Sequence, residues 1–549
     1  MSGRVTIAAL LGLFLLVALP WLDRPGIEYD EAYLVNPALV TLSGSAAEPR
    51  DFCFQTVSVF GHQVPVRMFA YGGALKAWLW APIFAAFGVS PVTIRLPAIL
   101  LTLVTILLVW KAARAWLGPR NGAFATAIFS LDPGLLFNAR CDTGPIVLAM
   151  LCGAGALRSL QLALERRSAI WFAITCGVVA LGFYDKLTFV WTASGLVAGA
   201  VLMFGKDLLA IARGPHRAWA LLGAGLVALC FSVFAYLLVK GKRALVGVDV
   251  SAKLWALWNG LRGEALLHEF QTGATYQRPG FLSTLRYDPD ALRFAGQGQV
   301  EGEFAHWFTS LDLAYGTMLP LLLVLAVVAL PFVLRTANLA ERRIGGFLAL
   351  ACSCDYGLLF VAQGTGLPHH FPLGFPFPQL LIAFVFGRVR WVLAAHLALC
   401  LFVDARYVTS YAHDGGNGSW SDGITTLCER LREDGRRPIF LDWGMQVPWI
   451  VFAGRERPSR ELAFDRIGSA GEVDPRTRAD GLALLDVGLE QEIDRRVGNV
   501  FVTCDALWQW YPSLDRLREL AERRGLRPVH ESIVYQRDGR PLFHLWSLR

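Results

Sequence analysis

What most constrains this chain is the spacing of its apolar runs. Through residues 1–407, stretches of roughly 20 residues with almost no charge, the length that spans a bilayer as a helix, alternate with short loops that carry arginine. Only a structure that satisfies its own backbone N–H and C=O groups can cross lipid, so such runs read as transmembrane helices. The expected spans are 1–22, 94–113, 120–138, 144–160, 168–184, 187–204, 218–239, 314–334, 345–362, 376–388 and 391–407, about eleven in all. The first resembles a signal peptide, but no small-x-small cleavage site follows it, so it is read as an uncleaved span. Composition agrees: 54% of the 549 residues are hydrophobic and 17% charged, against about 45–50% and 25% in soluble domains.

The net charge of +7 raises the question of nucleic acid, and its placement argues against it. No basic block is interleaved with aromatic residues, so no nucleic-acid partner is expected. With the N-terminus in the cytoplasm, the inner loops hold Lys111, Arg114, Arg120, Arg158, Arg166, Arg167, Lys206, Arg213, Arg217, Arg335, Arg342, Arg343, Arg388 and Arg390, against Glu165, Asp207 and Glu341. The first outer loop is acidic instead, with Asp23, Glu28, Asp30, Glu31, Glu48 and Asp51 against Arg24, Arg50 and Arg67. This is the positive-inside asymmetry. Short loops and the lack of a retention signal favour a bacterial inner membrane.

The expected fold is therefore mainly α: a polytopic transmembrane helical bundle, residues 1–407, followed by a small extracytoplasmic α/β domain, residues 408–549, in the periplasm. Two large outer loops interrupt the bundle, at 23–93 and 240–313. The first contains an amphipathic stretch, 71–87, that reads as a helix on the membrane surface. In the tail, helices are expected at 424–432 and 514–524, strands at 438–441 and 500–503, and a hairpin around Arg537-Asp538-Gly539-Arg540. The 10 cysteines include no C-x-x-C pair, which argues against a zinc ribbon or a thioredoxin-like motif. Cys152, Cys176, Cys230 and Cys400 lie in apolar runs. Cys53, Cys428 and Cys504 face the oxidising side, and a Cys428–Cys504 disulfide is one option.

The strongest local signal is Glu28-Tyr29-Asp30-Glu31-Ala32-Tyr33, directly after the first span. Three carboxylates in four positions repel one another unless a cation or proton donor is near. The cluster suits a divalent metal or a general base, and equally a solvated acidic loop. Next stand Asp132-Pro133 and Arg140-Cys141-Asp142, then Asp185-Lys186 in a tight outer hairpin, and Arg95 at the outer start of the second span. Each has a bland reading as a local ion pair at a span end. His369-His370 follow Leu367-Pro368; adjacent histidines do not share a helix face, so at most one would join Asp30 on a metal or bond a phosphate. Glu301, Glu303, His306 and Asp312 cluster loosely in the second large loop. No Walker loop, G-x-G-x-x-G, G-x-S-x-G or H-E-x-x-H is present.

In order, these pieces resemble one group of proteins. An acidic pair after the first span is followed by Tyr71-Gly-Gly-Ala-Leu-Lys76, Phe87-Gly88, Arg95-Leu-Pro97, Trp116-Leu-Gly118, Asp132-Pro133 and Arg140-x-Asp142. That order resembles the C-type membrane glycosyltransferases of the dolichyl-phosphate-mannose protein mannosyltransferase-like and aminoarabinose transferase-like group. The likeness covers about residues 5–165 in motif detail and extends to 407 as a span pattern. His369-His370 before Phe375-Pro-Phe-Pro378 is similar to an outer loop of bacterial members. Aminoarabinose transferases carry a Lys-Pro in the first-loop surface helix, where this chain has Tyr71-Gly72, with Lys76 a little over a turn later.

The resemblance implies a sugar donor linked to polyprenyl phosphate, an inverting transfer on the outer face, and a lipid, glycan or protein acceptor. Asp30 takes the place of the first-loop catalytic aspartate, Glu31 that of its acidic neighbour, and Asp142 that of the acidic residue in the next outer loop. Arg95, Arg140, Lys186, Lys76, His369 and His370 are candidates for the donor phosphate. A divalent metal, if one serves, falls to Asp30, Glu31 and His370. Two rivals stand beside this reading: a transporter or lipid flippase, and a catalytically idle relative whose outer domain binds a partner. The enzyme reading requires Asp30, Asp142 and a cationic group to meet at one place.

Overall fold

The computed structural model describes residues 3–44, 55–68, 72–142, 145–240, 303–361, 373–416, 421–442, 444–462, 479–505 and 513–549. Tyr71, Cys53, most of the second large loop, and His369 and His370 lie outside them, and so do the side chains of Glu301, Glu303, His306 and Asp312. The chain begins with α1 (Gly3–Ala18), then α2 (Tyr29–Ser43), β1 (Gln55–Val59), β2 (His62–Arg67) and α3 (Leu75–Phe87). The bundle continues through α4 (Pro91–Ser130), α5 (Pro133–Arg140), α6 (Ile146–Arg166), α7 (Ala169–Asp185), α8 (Val190–Ala212), α9 (Arg217–Lys240), α10 (Glu303–Thr336), α11 (Leu339–Val361), α12 (Phe377–Phe386) and α13 (Arg390–Asp414). Among the described residues, five helices are long and apolar enough to cross a bilayer unaided, and five shorter apolar helices, α1, α3, α7, α12 and the described part of α10, accompany them.

Two expected boundaries shift for local reasons. The second and third expected spans appear as the two arms of α4, which part at Gly118, where a φ of 79° and a ψ of 171° leave the helix just ahead of Pro119. The third span does not run unbroken to 138. It stops at Ser130, and Asp132 starts α5 by accepting a hydrogen bond from Gly134 N at 2.9 Å, ahead of Pro133 at the first helical position. A helix does form in the stretch read as amphipathic, but it begins at Leu75 and is apolar on nearly every side, Lys76 being its single charged residue; Gly72 and Gly73 are extended and pair with the α7–α8 hairpin at Lys186 and Asp185. Gly73 permits this close approach, since a Cβ there would lie 2.4 Å from Tyr184 O. Gly73→Ala should therefore undock the start of α3 and lower the thermal unfolding temperature, as a melting series on the purified protein would show.

The tail folds as an α/β unit: α14 (Gly423–Asp434), β3 (Arg437–Phe440), α15 (Gln446–Ala453), β4 (Arg460–Glu461), α16 (Ala479–Asp494), β5 (Asn499–Cys504), α17 (Ser513–Glu522), β6 (Pro528–Tyr535) and β7 (Pro541–Leu548). Its strands form one sheet in the order β4-β3-β5-β7-β6, parallel across β4, β3 and β5 and antiparallel beyond. The expected tail helices, strands and hairpin all appear, whereas α15, β4 and α16 were not foreseen. No Cys428–Cys504 disulfide forms: both residues remain thiols, buried inside the apolar core shared by α14, β3, β5 and β7. Burial pushes both thiols well above their usual range, so they stay protonated and inert.

The tail does not hang free of the bundle. Val447 and Val451 of α15 pack into the cluster built from Ile27, Tyr29, Ala32 and Tyr33 of the first loop. Arg24 donates to Ala412 O at 2.7 Å, and Arg455 to Ser43 Oγ. Gly26 lies so close to Ser421 that a Cβ would fall 1.8 Å from its carbonyl oxygen. The α/β unit thus presses on the helix that carries the acidic motif.

Candidate active site

The acidic motif is the start of a helix. Glu28 caps α2: its carboxylate accepts from Glu31 N at 3.0 Å, while the Glu31 carboxylate accepts from Glu28 N at 3.4 Å. This is a reciprocal capping box, which also places negative charge where the helix dipole favours it. Glu31 does more than cap. Its two oxygens receive Nε and Nη2 of Arg95, each at 2.8 Å, and both side chains are fully buried, about 1% exposed. The remaining Arg95 donors reach Leu22 O at 3.0 Å, Pro25 O at 2.7 Å and Gly26 O at 3.0 Å. All five N–H groups of this guanidinium therefore have acceptors within the protein, and none is left for a phosphate.

Arg140 does the matching work on the other side. From the end of α5 it donates to Ala18 O, Pro20 O and Arg24 O at 2.8 Å each and to Trp21 O at 2.9 Å. Its guanidinium also lies over the Tyr411 ring at 5.7 Å. These carbonyls include the end of α1, where the helix leaves acceptors without intrahelical partners and a cation is favoured. Two buried arginines thus hold the segment between α1 and α2 by its backbone, and they aim the start of α2.

Asp30, the residue between the two capping glutamates, is left over. It is surrounded by protein yet still reached by solvent, and its carboxylate has no hydrogen-bond partner among the described residues. Burial raises its carboxyl to about 6, and the nearby Lys186 ammonium limits the rise. Lys186, at the tip of the α7–α8 hairpin, is 3% exposed. Burial lowers its ammonium to about 8, against the opposing fields of Asp142, Asp30 and Asp185. The Lys186 ammonium thus lies in the fields of both Asp30 and Asp142. Asp142 also receives Lys76 Nζ of α3 at 2.9 Å, with both groups buried. Its other oxygen accepts from Ile146 N at 3.0 Å and Val147 N at 3.2 Å, at the start of α6.

The structure thus brings Asp30, Asp142, Lys76 and Lys186 together, and it engages Glu31, Arg95 and Arg140 in holding backbone. It says nothing of His369 and His370. Among the described residues no three carboxylate, imidazole or thiol groups converge as metal ligands do, and Glu31 is taken by Arg95. Sequence reasoning passed over two contributors. The capping pattern of Glu28 and Glu31 was a legible helix signal, and the apolar run 446–453 in a polar tail could have announced the seat of α15 on α2.

The part of the bundle that carries Lys76, Asp142 and Lys186 is similar to a known family. Residues 73–246 match the family model described as dolichyl-phosphate-mannose-protein mannosyltransferase, which meets the resemblance read from the motif order. Among solved structures, the oligosaccharyltransferase of Archaeoglobus fulgidus in complex with Zn and sulfate aligns over 91% of this chain and 68% of its own, at 12% identity and a TM-score of 0.50. ArnT from Cupriavidus metallidurans bound to undecaprenyl phosphate aligns over 99% of this chain and 97% of its own, at 11% identity and a TM-score of 0.43. No curated protein matches the chain in sequence.

Proposed function

We propose that this protein transfers a sugar from a polyprenyl-phosphate donor to an acceptor hydroxyl on the outer face of the membrane, with inversion and with Asp30 as general base. The observation that carries the reading is the meeting of a solvent-reached, unengaged Asp30 carboxylate with the buried Lys186 ammonium and the Lys76–Asp142 pair. A transporter would be expected to place its ionisable groups at mid-membrane between broken spans; the groups of this site gather at the ends of α3, α5 and α7, beside the first loop, while Asp355, His396 and Asp404 are buried within α11 and α13. The mannosyltransferase-like region supports the donor class, because it includes Lys76, Arg95, Arg140, Asp142 and Lys186. The bundle is proposed as residues 1–407 with about eleven spans, and the unit beyond 408 as a periplasmic wall of the acceptor side.

In the proposed step the acceptor hydroxyl attacks the anomeric carbon from the face opposite the phosphate. Its proton passes to a carboxylate oxygen of Asp30 as the new C–O bond forms. The old C–O bond breaks with its electron pair going to the phosphate oxygen, and polyprenyl phosphate leaves. Lys186 balances that departing charge in a site of low dielectric, where a fixed cation counts for more than in water. Asp142 holds Lys76 and the start of α6 in place. Glu31, Arg95 and Arg140 keep Asp30 aimed. No step is routed through a metal, because the carboxylate best placed to share one with Asp30 is held by Arg95.

The test offers purified protein in nanodiscs a panel of radiolabelled polyprenyl-phosphate sugars, and follows transfer or slow donor hydrolysis against pH. Asp30 must be deprotonated to act, so kcat/KM should fall as pH drops through about 6. Lys186 must be charged, so the rate should fall again as pH rises through about 8. Lys186→Met should remove the alkaline limb and weaken donor use. Failure of every donor to bind would sink the transferase reading and bring transport forward.

A further inference from the structure

The β1–β2 hairpin has no part in the proposed site. Its pairing sets Val57 opposite Val64 and Ser58 opposite Gln63. Directly opposed residues share a face of a ribbon, so Val57, Val59, Val64 and His62 lie on one side and Thr56, Ser58, Gln63 and Pro65 on the other. On that polar side Thr56 Oγ1 donates to Gln63 Oε1 at 2.8 Å. The hairpin is amphipathic, although only two strands wide. Its turn, Phe60-Gly61, has φ values of 51° and 83°, the left-handed pair that suits a tight hairpin. Asparagine, aspartate or glycine usually fills the first of these positions. Here a phenylalanine stands there with 99% of its surface exposed, flanked by Val57 and Val59 at 45% and 41%.

The base of the hairpin is fixed. Pro65 O accepts from Trp78 Nε1 at 2.6 Å, and Val66 O accepts from the Tyr184 hydroxyl at 2.8 Å. The ribbon is thereby joined to α3 and to the end of α7. Trp78 and Leu79 of α3 are exposed as well, and α3 is itself bonded to α4, a helix apolar and long enough to face lipid, through Trp80 Nε1 and Ile94 O at 2.8 Å. A tryptophan at this junction is where interfacial aromatic residues collect.

We propose that the tip of this hairpin is immersed in the membrane leaflet on the side of the first loop, with Phe60 among the lipid chains. The occupant of the exposed apolar tip is lipid because the ribbon is bonded to α3, an apolar helix with Trp78 and Leu79 exposed, which is bonded in turn to the spanning helix α4. The hairpin then sets the depth of α3, to which it is bonded, and so the height of Lys76 above the hydrocarbon. This holds whether or not the protein transfers sugar.

The experiment places an environment-sensitive fluorescent amino acid at position 60 of the full chain in nanodiscs, and at Val497 as a water-facing reference, since that residue is 91% exposed on the α/β unit. Doxyl-labelled lipids and aqueous iodide serve as the two quenchers. Immersion gives several-fold stronger doxyl quenching at 60 than at 497, a blue-shifted emission, and weak iodide quenching at 60. Iodide quenching at 60 equal to that at 497 overturns the proposal. Protection from both quenchers overturns it too, because a protein surface would then be the occupant. The tip makes no packing contact that the label would break, so both proteins should fold.

Discussion

Asp30→Asn should slow sugar transfer by about 10²–10⁴-fold, the usual contribution of a positioned general base, without unfolding the protein. Both halves of that expectation come from the geometry. The Asp30 carboxylate makes no hydrogen bond among the described residues, whereas its neighbours Glu28 and Glu31 cap α2 and Glu31 holds Arg95. Asparagine keeps the shape and removes the proton acceptor, so donor affinity should change little while kcat collapses. The acid limb of the pH profile should vanish with it, because no carboxyl near pH 6 remains to titrate in that role. The measurement is single-turnover transfer from a radiolabelled donor, beside donor binding and thermal stability of the same preparation. An Asp30→Asn protein that transfers at the parent rate would sink the base assignment. One that binds donor normally but turns over slowly at every pH would support it.

Much of the bundle was legible because a bilayer leaves few choices. Apolar runs of spanning length with arginine between them announce helices, and the expected starts of α6 to α9 fall within a few residues of the observed ones, although α6 and α8 run on past their expected ends. One break was harder. Gly118-Pro119 parts the two arms of α4 between two expected spans, but Leu131-Asp132-Pro133 interrupts apolar character only slightly and yet separates α5 from α4. At the site, the residue list was legible but the division of labour was not. Arg95 and Arg140 look like phosphate ligands when read beside an acidic motif. Their partners are carbonyl oxygens of residues 18–26 and a carboxylate 64 positions away, and carbonyls carry no sequence signature. Lys186 differs from them only in having a carboxylate environment with no bond to close it off. That difference appears when distant elements meet, as does the seat of α15 on α2.

Arg95→Met should be the most damaging change to stability in this region, about 3–5 kcal/mol, as expected when one partner of a buried ion pair is removed. The substitution leaves the Glu31 carboxylate buried without its cation and deprives Leu22 O, Pro25 O and Gly26 O of their donor together. Arg95→Lys should recover only part of the loss, since an ammonium offers three donors from one point and cannot reach a carboxylate edge and three carbonyls as a planar fork does. Glu31→Gln should be milder than Arg95→Met, because an amide oxygen still accepts one guanidinium N–H while α2 loses one arm of its cap. Pairing Glu31→Gln with Arg95→Met should cost clearly less than the two single changes added, since each has already broken the same contact. Thermal unfolding of the four proteins in one detergent reads these differences, and donor KM separates the clamp from its rival. If Arg95 held the donor phosphate instead, Arg95→Met would raise KM and leave the unfolding temperature in place. A clamp gives the reverse: the unfolding temperature falls, the population with Asp30 correctly aimed shrinks, and the donor KM of what remains folded is unchanged.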